Sequence, residues 1–306
     1  MITTTLLASV ALAGPSDATA RVLEGLELSH ELRLEKTGAE PRRVVRFRPT
    51  PGKAATYEMK TTQDVTMSLI TPDGQAMPMP GMGNLMPTVV MRMSSKVGEP
   101  LAAGVTPVTI AYEDARVEGA APEVQAQIKQ SMQPMLGTGF RCLVDDASGR
   151  IRQVDVSTDD EALYGALQGM ADQFVSQLPQ FPEEPVGVGA QWTVTMDMSV
   201  AGMDLIAQQT MTVTELGEHH IATDTVFALS RGDAPMQLPG LPPGAQVDFE
   251  RFEGSGKGHY DTDLTTMASS GSMTMDLDLG MAMQVEGQSM KMSMDMTQKT
   301  QLHIVD

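Results

Sequence analysis

The chain has 306 residues, with 39 acidic against 21 basic for a net charge of -18, 26 methionines, one cysteine and 4% aromatics. That balance argues against nucleic acid and against anionic membrane surfaces as partners, and the lone Cys142 excludes an internal disulfide framework and a thiolate zinc cluster. Seven Phe, four Tyr and one Trp are few for the aromatic girdles of an outer-membrane barrel, so methionine takes over much of the core filling.

At the N-terminus an apolar run from Leu6 to Leu12 leads into small residues. Ala11-Leu12-Ala13 before Gly14, or Ala18-Thr19-Ala20 before Arg21, fits the small-x-small rule of signal cleavage. Residues 1–20 are therefore expected to be a signal peptide or a disordered terminus, although no basic residue precedes the run. No cysteine follows it for a lipid anchor, and nowhere do 18 apolar residues run together. The expectation is an exported protein, periplasmic or extracellular, that is not transmembrane.

Period-two alternation, the mark of a half-buried strand, begins between Val22 and Leu34. It returns at Val44, Val45 and Phe47 inside the basic run Arg42 to Arg48, which reads as a strand with a solvated outer face. Pro49 to Lys53 is a turn. Tyr57, Met59, Val65, Met67 and Leu69 continue the alternation, which then breaks into an apolar loop, Ala76 to Pro87, whose prolines and glycines deny it a regular core position. Further strands follow at Val89, Met91 and Met93 and at Val108, Ile110 and Tyr112.

Pro122 opens a short helix over 122–133, with Val124, Ile128 and Met132 every fourth residue and Pro134 to end it. Leu143-Val144 and Ile151 to Val156 flank the turn Asp145 to Gly149 as a hairpin. A second helix is expected over 159–178: Thr158-Asp159-Asp160-Glu161 makes a capping box and Leu163, Leu167, Met170 and Phe174 an apolar stripe. Pro179 to Gly189 reads as the joint between two halves, 21–180 and 181–306. After it the first half's grammar recurs, most plainly in Met77-Pro78-Met79-Pro80-Gly81-Met82 against Met236-Gln237-Leu238-Pro239-Gly240-Leu241.

The chain is organised around its C-terminal end. Met273, Met275, Leu277, Leu279, Met281, Met283 and Val285 alternate with polar or small residues, and Met290, Met292, Met294 and Met296 resume the pattern. A two-residue loop at Gly287-Gln288 predicts a hairpin in which Val285 faces Met290 and Leu279 faces Met296. At about 3.3 Å per residue, the strand from Met273 to Val285 runs about 40 Å. So long a strand twists and curves, which favours a wrapped sheet or half-barrel.

Candidate sites are few. Strand methionines at period two are core. The loop methionines Met77, Met79, Met82 and Met86 suit copper(I) by their soft thioethers, but the second loop carries Leu238 and Leu241 where the first has Met79 and Met82, so apolar character recurs and sulfur does not. Exposed apolar loops mark a ligand or partner surface, which nominates Met77, Met79, Met82, Leu85, Met86, Met236, Leu238 and Leu241. No catalytic constellation, cofactor motif or metal-ligand spacing stands out: His219 and His220 occupy a turn, His30, His259 and His303 stand alone, and Gly254 to Gly258 lacks the spacing of a phosphate loop.

The segment Phe181-Pro182-Glu183-Glu184-Pro185-Val186-Gly187-Val188-Gly189-Ala190-Gln191-Trp192, with the earlier Pro51-Gly52-Lys53 and aromatic strand to Tyr57, resembles an uncharacterised family of bacterial secreted proteins and lipoproteins with a P-V-x-V-G-x-x-W-like signature. The resemblance implies an envelope location and a β-rich fold, and it transfers no activity or site residue. The chain departs from the lipoproteins of that family in lacking the anchor cysteine.

Together these observations predict a mainly β protein, two similar antiparallel halves forming a wrapped double sheet or half-barrel with two short accessory helices. The expected function is non-enzymatic: a binding or carrier protein for an apolar small molecule or lipid. A structural or protein-interaction module with a solid core is the alternative, and copper(I) binding a second one.

Overall fold

The structure, a computed structural model, describes residues 20–22, 30–71, 75–78, 87–101, 104–157, 164, 178–200, 203–232, 246–285 and 288–305. Its first half contains β1 (Ala20–Val22), β2 (His30–Lys36), β3 (Ala54–Ile70), β4 (Ala76–Pro78), β5 (Thr88–Val97), β6 (Val105–Glu118), β7 (Gly139–Asp145) and β8 (Ile151–Ser157). The second contains β9 (Gln191–Val200), β10 (Met203–Leu216), β11 (His220–Arg231), β12 (Gln246–Asp263), β13 (Ser269–Val285) and β14 (Gln288–Val305). The helix α1 (Pro122–Met132) starts at proline as predicted and runs into a 3-10 turn at Gln133–Met135.

The protein is mainly β, a wrapped antiparallel sheet of two halves. The strands pair in the order β1-β8-β7-β6-β5-β3-β14-β13-β12-β11-β10-β9-β2, and β4 adds to β3 off this path. β1 and β2 end the path and do not pair with each other among the described residues, so the sheet is not closed. The pairing of β14 with β3 joins the halves. β2 belongs to the first half in sequence yet pairs with β9, at the far end of the second.

Alternation explains the faces. Along β3, Tyr57, Met59, Val65, Met67 and Leu69 point inward, and their β14 partners Ile304, Leu302, Met296, Met294 and Met292 continue the same side. Outward positions carry ion pairs such as the two-pronged Arg116–Glu58 contact at 2.9 and 3.0 Å and Lys60–Glu118 at 2.9 Å. On the inward side of β12 stand Gly254, Gly256 and Gly258, where an added Cβ would meet Leu229, the Thr274 carbonyl or the Ser272 carbonyl within 3 Å. Side chains on these residues would collide with the neighbouring strands, which is why glycine recurs there.

The packed core gathers at one end of the strands, the base. Tyr57, Met93, Ile110, Phe140 and Cys142 from the first half meet Trp192, Met211, Val213 and Ile221 from the second. The turn at the β7–β8 hairpin is tied by Asp145, whose Oδ1 accepts the Ser148 N–H at 2.6 Å and its hydroxyl at 2.8 Å. Those bonds hold the Asp145 carboxyl below the usual carboxylate range.

Several expectations need correction. The run Val44 to Phe47 is not a strand of the sheet; it belongs to an extended strap, residues 37–50, that crosses the base. The strap touches the 185–190 loop through paired backbone bonds of Arg43 and Val186, both 2.9 Å, and reaches the β12–β13 turn through Arg48 N to Leu264 O at 2.7 Å. Its alternation is real, with Val45 and Phe47 buried beneath it and Arg48 exposed. In the terminal hairpin Val285 pairs with Gln288, Met283 with Met290 and Leu279 with Met294. The predicted register was two residues out, and because side chains alternate with a period of two the apolar residues still share one face. Ala76–Pro78 of the predicted loop is strand β4, with Pro78 tolerated on a sheet edge. The α1 stripe is only partly used: Val124 is exposed and the helix packs chiefly on β6. The second predicted helix, 159–178, lies outside the described residues except for helical Tyr164, which packs against the core, and Leu178, a buried residue in a bend.

Candidate functional site

Of the nominated loop residues, Met77 lies in β4 opposite Leu69 and is 51% exposed. Met79, Met82, Leu85, Met86, Met236, Leu238 and Leu241 lie outside the described residues. What the fold adds is the surface leading away from Met77. Met67, Met294, Leu279 and Phe252 form one row across β3, β14, β13 and β12, and Leu69, Met292 and Met281 the next. These rows continue the inner face beyond the packed core, and Met67, Met281, Met292 and Met294 are half-buried.

Nearer the base the same face turns polar. Gln63 donates its side-chain N–H to Gln298 at 3.0 Å across β3 and β14, and Gln209, Thr223 and Thr225 take inward positions on β10 and β11, all three buried. Between the halves they enclose a chamber of about 60 Å³, lined also by Tyr57, Met59, Met93, Tyr260, Met267 and Leu302. Met267 reaches it from a left-handed backbone at φ 61, a conformation that is costly for a bulky residue. The Asp263 carboxylate holds that turn, accepting the Thr265 N–H and hydroxyl, both at 2.6 Å.

Among the described residues no charged side chain lines the chamber. The Tyr57 phenol is 4% exposed and its oxygen has no hydrogen-bond partner. Burial, with smaller effects from Tyr112 and Cys142, pushes its pKa well above the usual phenol value, and burial pushes Tyr260 up to about 12. Both are neutral donors at physiological pH. The Cys142 thiol is likewise pushed up to about 12, by burial first and Asp155 second, so it is a core side chain and no nucleophile.

The chemistry-bearing groups outside the chamber are dispersed. His220 meets Glu215 at 3.0 Å and His259 meets Asp224 at 2.8 Å, both on the exterior. Among the described residues no cluster of three or more His, Cys, Asp and Glu could hold a metal ion, and no helix is long and apolar enough to cross a membrane.

The 185–192 signature acquires a structural meaning. Val186, Ala190 and Trp192 are fully buried, the Trp192 indole donates to Gln180 O at 2.8 Å, and Phe181 bridges Phe47 of the strap to Trp192 with ring centroids 5.3 and 6.4 Å apart. The motif fastens the strap across the base. Sequence reasoning missed the chamber, although its signal was present as Gln209, Thr223 and Thr225 at positions where the alternation asks for apolar residues.

No family model matches the chain, and no curated protein matches it in sequence. Among solved structures, one described as "Asymmetric conductivity of engineered proteins" is similar at 7% identity, and two mutants of the Rh. blastica porin at 10% and 9%. In each case the similarity covers 82% of this chain and 100% of the other, with a TM-score of 0.23. Superposition at that level carries nothing about fold or function.

Proposed function

We propose that this is a non-enzymatic binding or carrier protein for an apolar or lipid-like ligand, exported to the bacterial envelope, in keeping with the N-terminal apolar run and the resemblance of the 185–192 motif. The observation that carries the proposal is the inner face of the long strands: its methionine rows run on past the packed core toward a small chamber of mixed lining, apolar except for the side chains of Gln209, Thr223, Thr225, Thr262 and Ser269 and two tyrosines. A ligand lying along these rows would bury its apolar length against flexible thioethers, which adapt to varied shapes. Its neutral polar end would accept a hydrogen bond from Tyr57. The chamber alone is too small for the whole ligand, since small-molecule sites span roughly 300–1,000 Å³, so it takes only that end.

The same small volume favours a second reading, a structural or protein-interaction module of the envelope whose core is solid. Native mass spectrometry of protein from its own host, followed by organic extraction, separates the two. A stoichiometric amphipathic molecule released by solvent supports the carrier. A bare mass with nothing extractable overturns it in favour of the module, and a mass excess of copper would point to the loop methionines instead.

A further inference from the structure

The geometry points to a second site, independent of the apolar face: a phosphate-class oxyanion site in a cleft on the outer side of the base. The cleft, of about 520 Å³, lies between the strap and the turns at 217–219 and 263–268 and is lined by Arg43, Arg46, Arg48 and His219, with one carboxylate, Glu218, and the hydroxyls of Thr50 and Thr265. Lys53 donates to the Thr265 hydroxyl at 3.1 Å and so brings a further cation to its rim.

Three observations separate this cleft from an ordinary solvated face. The first is pairing. In a chain with 39 acidic residues, Arg33, Arg42, Arg92, Arg116, Arg141, Arg150, Arg152 and Arg251 each meet a carboxylate, while Arg231 stands exposed and, among the described residues, alone at the end of β11. Arg43, Arg46 and Arg48 meet none among the described residues, although Glu218 stands beside them: its carbonyl takes the Arg43 Nη1–H at 3.0 Å, and its carboxylate faces His219. The second is that Arg43 Nε and Nη2 are buried with no hydrogen-bond partner, a costly state for charged donors that a nearby anion would relieve. The third is rigidity. Val45 and Phe47 are locked into the core, so Arg46 and Arg48, two residues apart on an extended backbone, leave the strap on its outer side. Arg46 is further fixed by donating to the Ala147 carbonyl. A neighbouring cleft of about 590 Å³ shares Arg46, but its other cation, Arg150, is already paired with Glu183 at 2.9 Å.

The ligand class follows from the charge. Guanidinium forks match phosphate oxygens two at a time, and three unpaired arginines call for more than the single charge of a carboxylate. A phosphate group carries about -1.5 to -2 at neutral pH. The net charge of -18 repels anionic bilayers and nucleic acids as whole surfaces, whereas a concave site admits one small anion or one head group.

The test is calorimetric titration of the intact protein, at low salt and in a phosphate-free buffer, with inorganic phosphate and with soluble short-chain phosphatidate. One saturable site is expected, weakened at least tenfold in the Arg46→Gln/Arg48→Gln double variant and unchanged in Arg150→Gln. Circular dichroism checks that the double variant is folded, which the outward placement of both side chains favours. Phosphatidate binding tenfold or more tighter than phosphate would name a lipid head group as the source, and comparable affinities a free phosphate. Absence of saturable binding, or equal binding by the double variant, overturns the site.

Discussion

At the scale of single residues, the inner chamber is where the molecule departs from ordinary packing. A buried hydroxyl without a partner costs roughly 1–3 kcal/mol in desolvation, and Tyr57 is such a group. In ligand-free protein, Tyr57→Phe is therefore expected to leave stability unchanged or to raise it by about 1 kcal/mol, read as the midpoint of urea unfolding. A loss of similar size would show that the phenol is hydrogen-bonded in solution, by water or by the polar end of a ligand. The contrast with Trp192 is instructive. Its indole is equally buried but donates to the Gln180 carbonyl, so its polar atom is accounted for within the fold and its work is structural.

At the scale of elements, the strap and the 185–190 loop depend on each other through glycine. A Cβ added to Gly187 would lie 1.8 Å from the Ala39 carbonyl oxygen, which is backbone and cannot swing aside. Gly187→Ala should therefore part the strap from the loop, breaking the bonds Gly187 N to Thr37 O and Ala39 N to Val188 O at a cost of about 3 kcal/mol. Trypsin would read the change by cleaving after Arg43 and Arg46 faster than in the parent, and an unchanged cleavage rate would refute the coupling. This region also shows what a sequence pattern leaves out. The alternation of Val45 and Phe47 with Arg46 and Arg48 is legible, but whether such a segment joins a ladder or crosses a sheet end depends on partners far away in sequence, here Val186 and Leu264. The long strands were legible because period two repeats over many residues, and the hairpin register slipped by two because a shift of two conserves every inward side chain. The chamber was harder to see: its walls come from β3, β5 and all of β10 to β14, and only the wrapping of the sheet brings them together.

At the scale of the whole molecule, the chain's two ends decide whether there is one folding unit or two. β14 is the last strand, yet it sits between β13 and β3 and joins the halves, pairing Val305 with Thr56 and Lys291 with Ile70. The base core draws on both halves, with Trp192 packed in the same cluster as Tyr57 and Phe140. Neither half therefore has a core of its own to retain when the other opens. Unfolding followed by Trp192 fluorescence and by far-UV circular dichroism should give coincident transitions, and a chain ending at Val285 should lose cooperative unfolding altogether, because its sheet is cut at β3 and β13. Two separated transitions in the full chain, or a cooperative one in the shortened chain, would mean that the halves are independent domains. The same connectivity sets the pace of folding. The β14–β3 ladder joins segments at opposite ends of the chain, and such non-local pairing places β proteins in the millisecond-to-second range or slower. Until that ladder forms, the methionine-rich edges of β3 and β13 stand open, and it is the acidic residues on their outer faces, Asp64, Asp276 and Asp278, that discourage two such edges from meeting.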